Sequence, residues 1–182
     1  KLSPAVIEHW ANLLKAVPEA RMVLGGMPGD QVCDSLRQAF IKKGIASDRL
    51  SFYLQTKMHD YLALHRLVDV CLDTFPYAGG TTTSHALWMG VPTLTMTGDT
   101  LPGRVGATIR GHAELHDFIA QNQTEFLQNG IALASQLDHL AALRSGMCMS
   151  KSALGQPALI AAGLDTALRQ IWQRWCAGLP AV

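Results

Sequence analysis

With 182 residues, 48% of them apolar, the chain is long enough to bury a core of its own and too apolar to remain disordered. Its 15 Lys and Arg against 14 Asp and Glu leave a formal net charge of +1, which supplies no long-range field for nucleic acid or an anionic membrane; any anion site has to be local. No apolar run approaches the roughly 20 residues of a spanning helix and the N-terminus has no signal-peptide pattern, so a soluble, cytoplasmic protein with no membrane partner is expected.

From Pro4 to Ala16 the apolar residues Val6, Ile7, Trp10, Leu13 and Leu14 recur at helical spacing behind a candidate cap, Ser3, with Pro4 at the first helical position. Val17-Pro18 stops this helix. Arg21 to Leu24 reads as a short strand ending in a Gly25-Gly26 turn. Asp30 can cap a second helix to about Lys43, with Val32, Leu36, Phe40 and Ile41 as its apolar stripe. A strand from Arg49 to Tyr53 and a helix opening at His59 follow. The run Leu67 to Leu72 has the length and β-branched content of a strand covered on both faces.

After that run the chain must turn, and it does so through Gly79-Gly80-Thr81-Thr82-Thr83. The glycines let a ligand approach the backbone closely, and any of the three threonines can cap the helix that follows. Free N–H groups and the positive end of the helix dipole meet at such a turn, which favours a phosphate. The same residues also suit an ordinary strand–turn–helix. The spacing is neither that of a P-loop nor the Gly-x-Gly-x-x-Gly of a dinucleotide fold, so the ligand belongs to another class. Val91 to Met96 is one more strand, Thr97 to Gly103 a loop, and the chain from Arg104 onward is mainly helical, ending in an amphipathic stretch from Pro157 to Trp175.

Alternating helices and strands predict an α/β fold, a Rossmann-like parallel sheet flanked by helices. One domain spanning residues 1–182 is expected, a βα core to about residue 103 and a helical extension over 104–182. In an open α/β sheet ligands sit beyond the carboxyl ends of the strands. Gly25-Gly26, Gln55 to Lys57, the Gly79–Thr83 turn and Gly98-Asp99 all fall on that rim, which points to a nucleotide-type pocket. Cys33, Cys71, Cys148 and Cys176 form no Cys-x-x-Cys pair, and the histidines, His112 and His116 included, lack neighbouring ligands; no metal site is expected. Trp10, Trp88, Trp172 and Trp175 fall on helical stripes and read as packing residues.

The residues Asp69 to Thr74, Gly79 to Thr82, Leu87-Trp88, Gly90 to Pro92 and Gly98 to Val105 resemble the C-terminal half of the O-GlcNAc transferase family. The similarity extends to Lys1 to Pro4, Trp10 to Lys15 and the helical tail, covering nearly the whole chain. The resemblance implies a GT-B architecture in which this chain is the C-terminal, nucleotide-sugar-binding domain of a larger protein. An N-terminal catalytic half and often tetratricopeptide repeats would lie upstream. It further implies transfer of a sugar, by default GlcNAc from UDP-GlcNAc, to Ser or Thr of a protein acceptor, without a cofactor. Relatives using UDP-glucose or GDP-fucose share the scaffold.

Carried over from that family, Lys1 matches a lysine on the diphosphate, and Thr81 and Thr82 match the helix-start threonines on phosphate. Gly80 stands where the animal enzyme has a histidine. His85 stands where it has the ribose-binding aspartate, and can contact ribose or phosphate or serve structure. Thr56, Met58, Tyr61 and Leu64 align with the stretch that contacts base and ribose, but Met58 and Leu64 replace basic residues. Tyr61 can stack on a base or pack in the core. Arg104 matches a family arginine that can pair with phosphate or fix the loop before it. The general base is expected upstream, so the catalytic residue is unassigned and the isolated chain is expected to be inactive. Two alternatives remain: a non-catalytic nucleotide-sensing or protein-interaction domain, and a sugar-nucleotide epimerase-like domain.

Overall fold

The computed structural model describes residues 2–147 and 155–180. The chain divides into two compact units, residues 1–147 and 148–182. In the first, α1 (Pro4–Ala16) begins at Ser3, whose hydroxyl accepts from the Val6 amide at 3.3 Å, and buries Val6, Ile7, Trp10, Leu13 and Leu14. Then come β1 (Met22–Met27), α2 (Asp30–Lys42), β2 (Leu50–Leu54), α3 (Met58–Ala63), β3 (Cys71–Leu72), α4 (Thr81–Trp88) and β4 (Thr93–Met96). The unit closes with α5 (Leu101–His112), β5 (Ile119–Ala120), α6 (Gln123–Ala134) and α7 (Leu137–Gly146).

Among the described residues all strand pairs are parallel, in two sheets: β1 with β2, and β3-β4-β5 with β4 in the centre. Central placement explains why β4 buries Thr93, Leu94 and Thr95 together, where an edge strand would show alternation. Helices α1 and α6 pack on each other and α6 on β4, so the core under the β3–β4 ladder is built from residues such as Leu13, Leu14, Leu94 and Phe126.

Several boundaries depart from the sequence reading. Gly25 and Gly26 lie inside β1, where the register to β2 shifts between Leu24 and Met27 and Gly26 takes a φ of +72°; they kink a strand and do not end it. In α2 the buried stripe is Cys33, Leu36 and Phe40, leaving Val32 and Ile41 exposed. The strand expected over 67–72 shrinks to its last two residues, because Leu64–Leu67 is a 3₁₀ turn continuing from α3. Arg144 of α7 donates to the carbonyls of His65 and Val68, taking acceptors that a strand would offer its neighbour. Leu101 to Gly103, expected in a loop, form the first turn of α5 because the Thr100 hydroxyl caps the Gly103 amide. Within the region expected to be helical, β5 adds a strand to the ladder.

The second unit contains α8 (Pro157–Cys176). Its apolar stripe, Ile160, Leu164, Leu168, Ile171 and Trp175, is exposed. Trp172 and Trp88 are likewise exposed, so of the four tryptophans only Trp10 is a packing residue. No helix among the described residues is long and apolar enough to cross a membrane.

His9 on α1 is buried between Phe75, 5.4 Å away edge-on, and Phe126, 5.0 Å away. Desolvation in this aromatic slot pushes its pKa below the ordinary value of 6.5, and His65, buried beside α3, is shifted the same way chiefly by desolvation. Below pH 6.5 the unfolded chain takes up protons that these two imidazoles refuse in the folded state. Stability is therefore full above that pH and declines as pH falls, by at most about 1.4 kcal/mol per pH unit for each group. Urea unfolding at pH 7.5 and 5.5 should show this loss, and His9→Phe should reduce it; an identical pH dependence in the variant would remove His9 from the account.

Candidate functional site

The site is organised by the loop that leaves β3. Asp73, buried at the end of that strand, accepts through Oδ1 from the amides of Thr74 (2.9 Å) and Gly79 (2.6 Å), and through Oδ2 from the Thr95 hydroxyl (2.9 Å). The carboxylate thereby gathers a loop containing a cis Phe75–Pro76 peptide and returns it to its own starting point. The Thr74 hydroxyl donates to the Tyr77 carbonyl at 2.7 Å, closing the loop further. The start of α5 is stitched to it as well: the Ala78 amide donates to the Pro102 carbonyl at 3.1 Å.

Gly80, and none of the three threonines, is the N-cap of α4, with no side-chain capping bond. The threonines fall in the first helical turn. Thr81 and Thr82 are exposed and Thr83 is buried, a division that follows from the helical rotation of successive residues. A helix that starts without a side-chain cap keeps its first amides available for an outside acceptor. Tyr77, Ala78, Gly80, Thr81, Thr82, Pro102 and Val105 line a concavity of about 260 Å³ at this helix start. Gly79 cannot be enlarged without conflict: a Cβ there would lie 2.6 Å from Thr83 Oγ1 and 2.9 Å from Thr82 Oγ1.

His85 lies one turn further along α4, half-buried, with Nδ1 enclosed and without a hydrogen-bond partner among the described residues. Its ring is 5.6 Å from that of Tyr61, which also meets His65 edge-on at 5.3 Å. Tyr61 is half-buried in this group and burial raises the pKa of its phenol. The structure thus joins Tyr61 to α4, across separate elements. Thr56 is exposed in the loop after β2. Arg104 is exposed on α5 and its Nε donates to the Gly98 carbonyl at 3.0 Å, bracing the loop through a backbone acceptor and not through a carboxylate. Lys1 lies outside the described residues, as does Cys148. Among the described residues no three His, Cys, Asp or Glu side chains cluster in a way that would hold a metal ion.

Sequence reasoning passed over Asp73, Thr95, Gly106 and Arg110, which together support the turn from beneath. Its one legible signal was an aspartate directly after an apolar run and six residues before a glycine.

With this geometry in view, residues 1–156 match the family described as Glycosyl transferase family 41. The chain belongs to glycosyltransferase family 41. Similar curated members of the family include a probable UDP-N-acetylglucosamine–peptide N-acetylglucosaminyltransferase SPINDLY from Arabidopsis thaliana, 37% identical over 98% of this chain and 20% of the relative. Another is the UDP-N-acetylglucosamine–peptide N-acetylglucosaminyltransferase of Caenorhabditis elegans, 27% identical over 99% of this chain and 16% of the relative. Among solved structures, a mutant of the Thermobaculum terrenum O-GlcNAc transferase superposes with a TM-score of 0.87 at 33% identity, covering 97% of this chain and 35% of that one. The family 41 chain described here therefore spans about a fifth of the length of the curated relatives it matches. The close superposition bears out the expected fold, parallel strands flanked by helices as in a GT-B transferase.

Proposed function

We propose that this chain is the donor-binding domain of a protein glycosyltransferase, with the diphosphate of a nucleotide sugar seated at the start of α4. The observation that carries this reading is the junction of an uncapped helix N-terminus, two exposed threonines and a concavity at the carboxyl ends of β3 and β4. Backbone amides and the helix dipole at that point favour a diphosphate, and Thr81 and Thr82 add two hydroxyl donors. In the transfer, the acceptor oxygen bonds to the anomeric carbon as its bond to the diphosphate breaks, and negative charge grows on the leaving group. Preorganised donors aimed at that charge lower the barrier.

His85 and Tyr61 are the candidates for ribose and base, and Lys1, through the family resemblance alone, for a second diphosphate contact. The default donor is UDP-GlcNAc and the acceptor a Ser or Thr hydroxyl of a protein, in keeping with the names of the relatives, which speak for transfer to peptide over epimerisation of a free sugar. The reaction needs no metal or other cofactor in this proposal. The general base, an N-terminal catalytic half and tetratricopeptide repeats belong to the same protein outside this chain, which acts in the cytoplasm.

Calorimetric titration of the intact protein with UDP and GDP tests the reading. One nucleotide should bind at millimolar concentration or below, and Thr81→Ala/Thr82→Ala should weaken it at least tenfold, since a hydrogen bond to a charged group contributes about 1.5–3 kcal/mol. Equal affinity in the double variant, or no binding of either nucleotide, would contradict it.

A further inference from the structure

Arg110 is fully buried on α5, a placement rare for arginine unless it is paired. Its Nε donates to the Thr93 carbonyl, its Nη1 to the Gly106 carbonyl at 2.5 Å, and its Nη2 stands 3.8 Å from Asp73 Oδ2. Gly106 makes room for the pair: a Cβ there would lie 2.5 Å from Asp73 Oδ2, 2.6 Å from Thr95 Oγ1 and 2.9 Å from Arg110 Nη1. Strand β4, helix α5 and the loop after β3 thus converge on one carboxylate.

Stability is a poor reason for such an arrangement, because a buried ion pair can often be replaced by apolar groups without loss. Its distinctive product is geometric. The other oxygen of the same carboxylate holds the Gly79 amide at 2.6 Å, and Gly79 is the residue before the N-cap of α4. We propose that Asp73, Thr95 and Arg110 are positioning residues for diphosphate binding: they fix the Gly79 amide inward and so set the angle at which the start of α4 meets its ligand. Desolvation pushes Arg110 down to about 10, against the opposing pull of Asp73, which leaves the guanidinium charged at neutral pH.

This inference rests on the nucleotide-binding reading above, and the two can be separated in one experiment. In the intact protein, UDP and GDP affinities would be measured by calorimetry for wild type, Thr95→Val, Arg110→Met and a control, Leu140→Ala. The control removes a buried side chain on α7, an element that supplies no partner to Asp73, and so lowers stability by core loss alone. Backbone hydrogen exchange of the peptide spanning residues 74–84 would be followed without ligand. Thr95→Val is expected to weaken binding about fivefold and Arg110→Met more than tenfold, both with faster exchange at the turn, while Leu140→Ala binds as wild type does. If Arg110→Met fails to fold, Thr95→Val decides. Unchanged affinity and exchange in a folded Thr95→Val would overturn the positioning role alone, as would a matching affinity loss in Leu140→Ala. Failure of wild type to bind either nucleotide would remove both readings together.

Discussion

Asp73→Ala is expected to destabilise the protein by about 3–5 kcal/mol, the range for removing one partner of a buried ion pair. The substitution strands the Arg110 guanidinium, which is fully buried, and deprives the amides of Thr74 and Gly79 and the hydroxyl of Thr95 of their acceptor. A domain of this size has only about 5–15 kcal/mol to lose, so the variant should stand near the edge of folding at 37 °C. Denaturant midpoints of the two proteins, with the slope monitored for two-state behaviour, measure the difference. A loss below about 1 kcal/mol would mean that water reaches the cluster and solvates the guanidinium.

Gly79→Ala should reduce affinity for a nucleoside diphosphate at least tenfold while costing about 1–3 kcal/mol of stability, the usual range for overpacking. The added methyl would sit 2.6 Å from Thr83 Oγ1, 2.9 Å from Thr82 Oγ1 and 3.2 Å from Asp73 Oδ1, so it pushes simultaneously on the start of α4 and on the carboxylate that holds the turn. Thr83 is buried and has little freedom to withdraw. Gly111→Ala supplies the comparison: nothing lies within 4 Å of a Cβ there, and alanine on α5 should be neutral or stabilising by up to about 1 kcal/mol. Titration and thermal melting of both variants check the contrast. Equal binding by Gly79→Ala and wild type would show that the turn can shift without consequence.

Much of this molecule could be read before any coordinates. The spacing of Val6, Ile7, Trp10, Leu13 and Leu14 predicted α1, cap included, because helical periodicity and the Ser3-Pro4 start are properties of neighbouring residues. The Gly79–Thr83 turn was legible for the same reason, as a glycine pair between an apolar run and a helix, and the family resemblance came from those residues and the segments around them. Identity of the cap was not legible: three threonines compete on equal terms in sequence, and Gly80 takes the position because Asp73 has already pulled Gly79 inward. Nor could Trp88, Trp172 and Trp175 be separated from Trp10, since a helical stripe states which face is apolar and not what covers it.

The sequence by itself determined the alternation of helices and strands and the family, both of which depend on short-range spacing or on residue identity. Only the tertiary structure decided that the strand read over residues 67–72 keeps just its last two residues, that Tyr61 meets His85, and that Arg110 lies buried against Asp73. The physical reason is the same in each case. Desolvation and hydrogen-bond partnership are set by groups far apart in the chain, such as the Thr95 hydroxyl that reaches Asp73 from 22 residues away, and no local pattern records them.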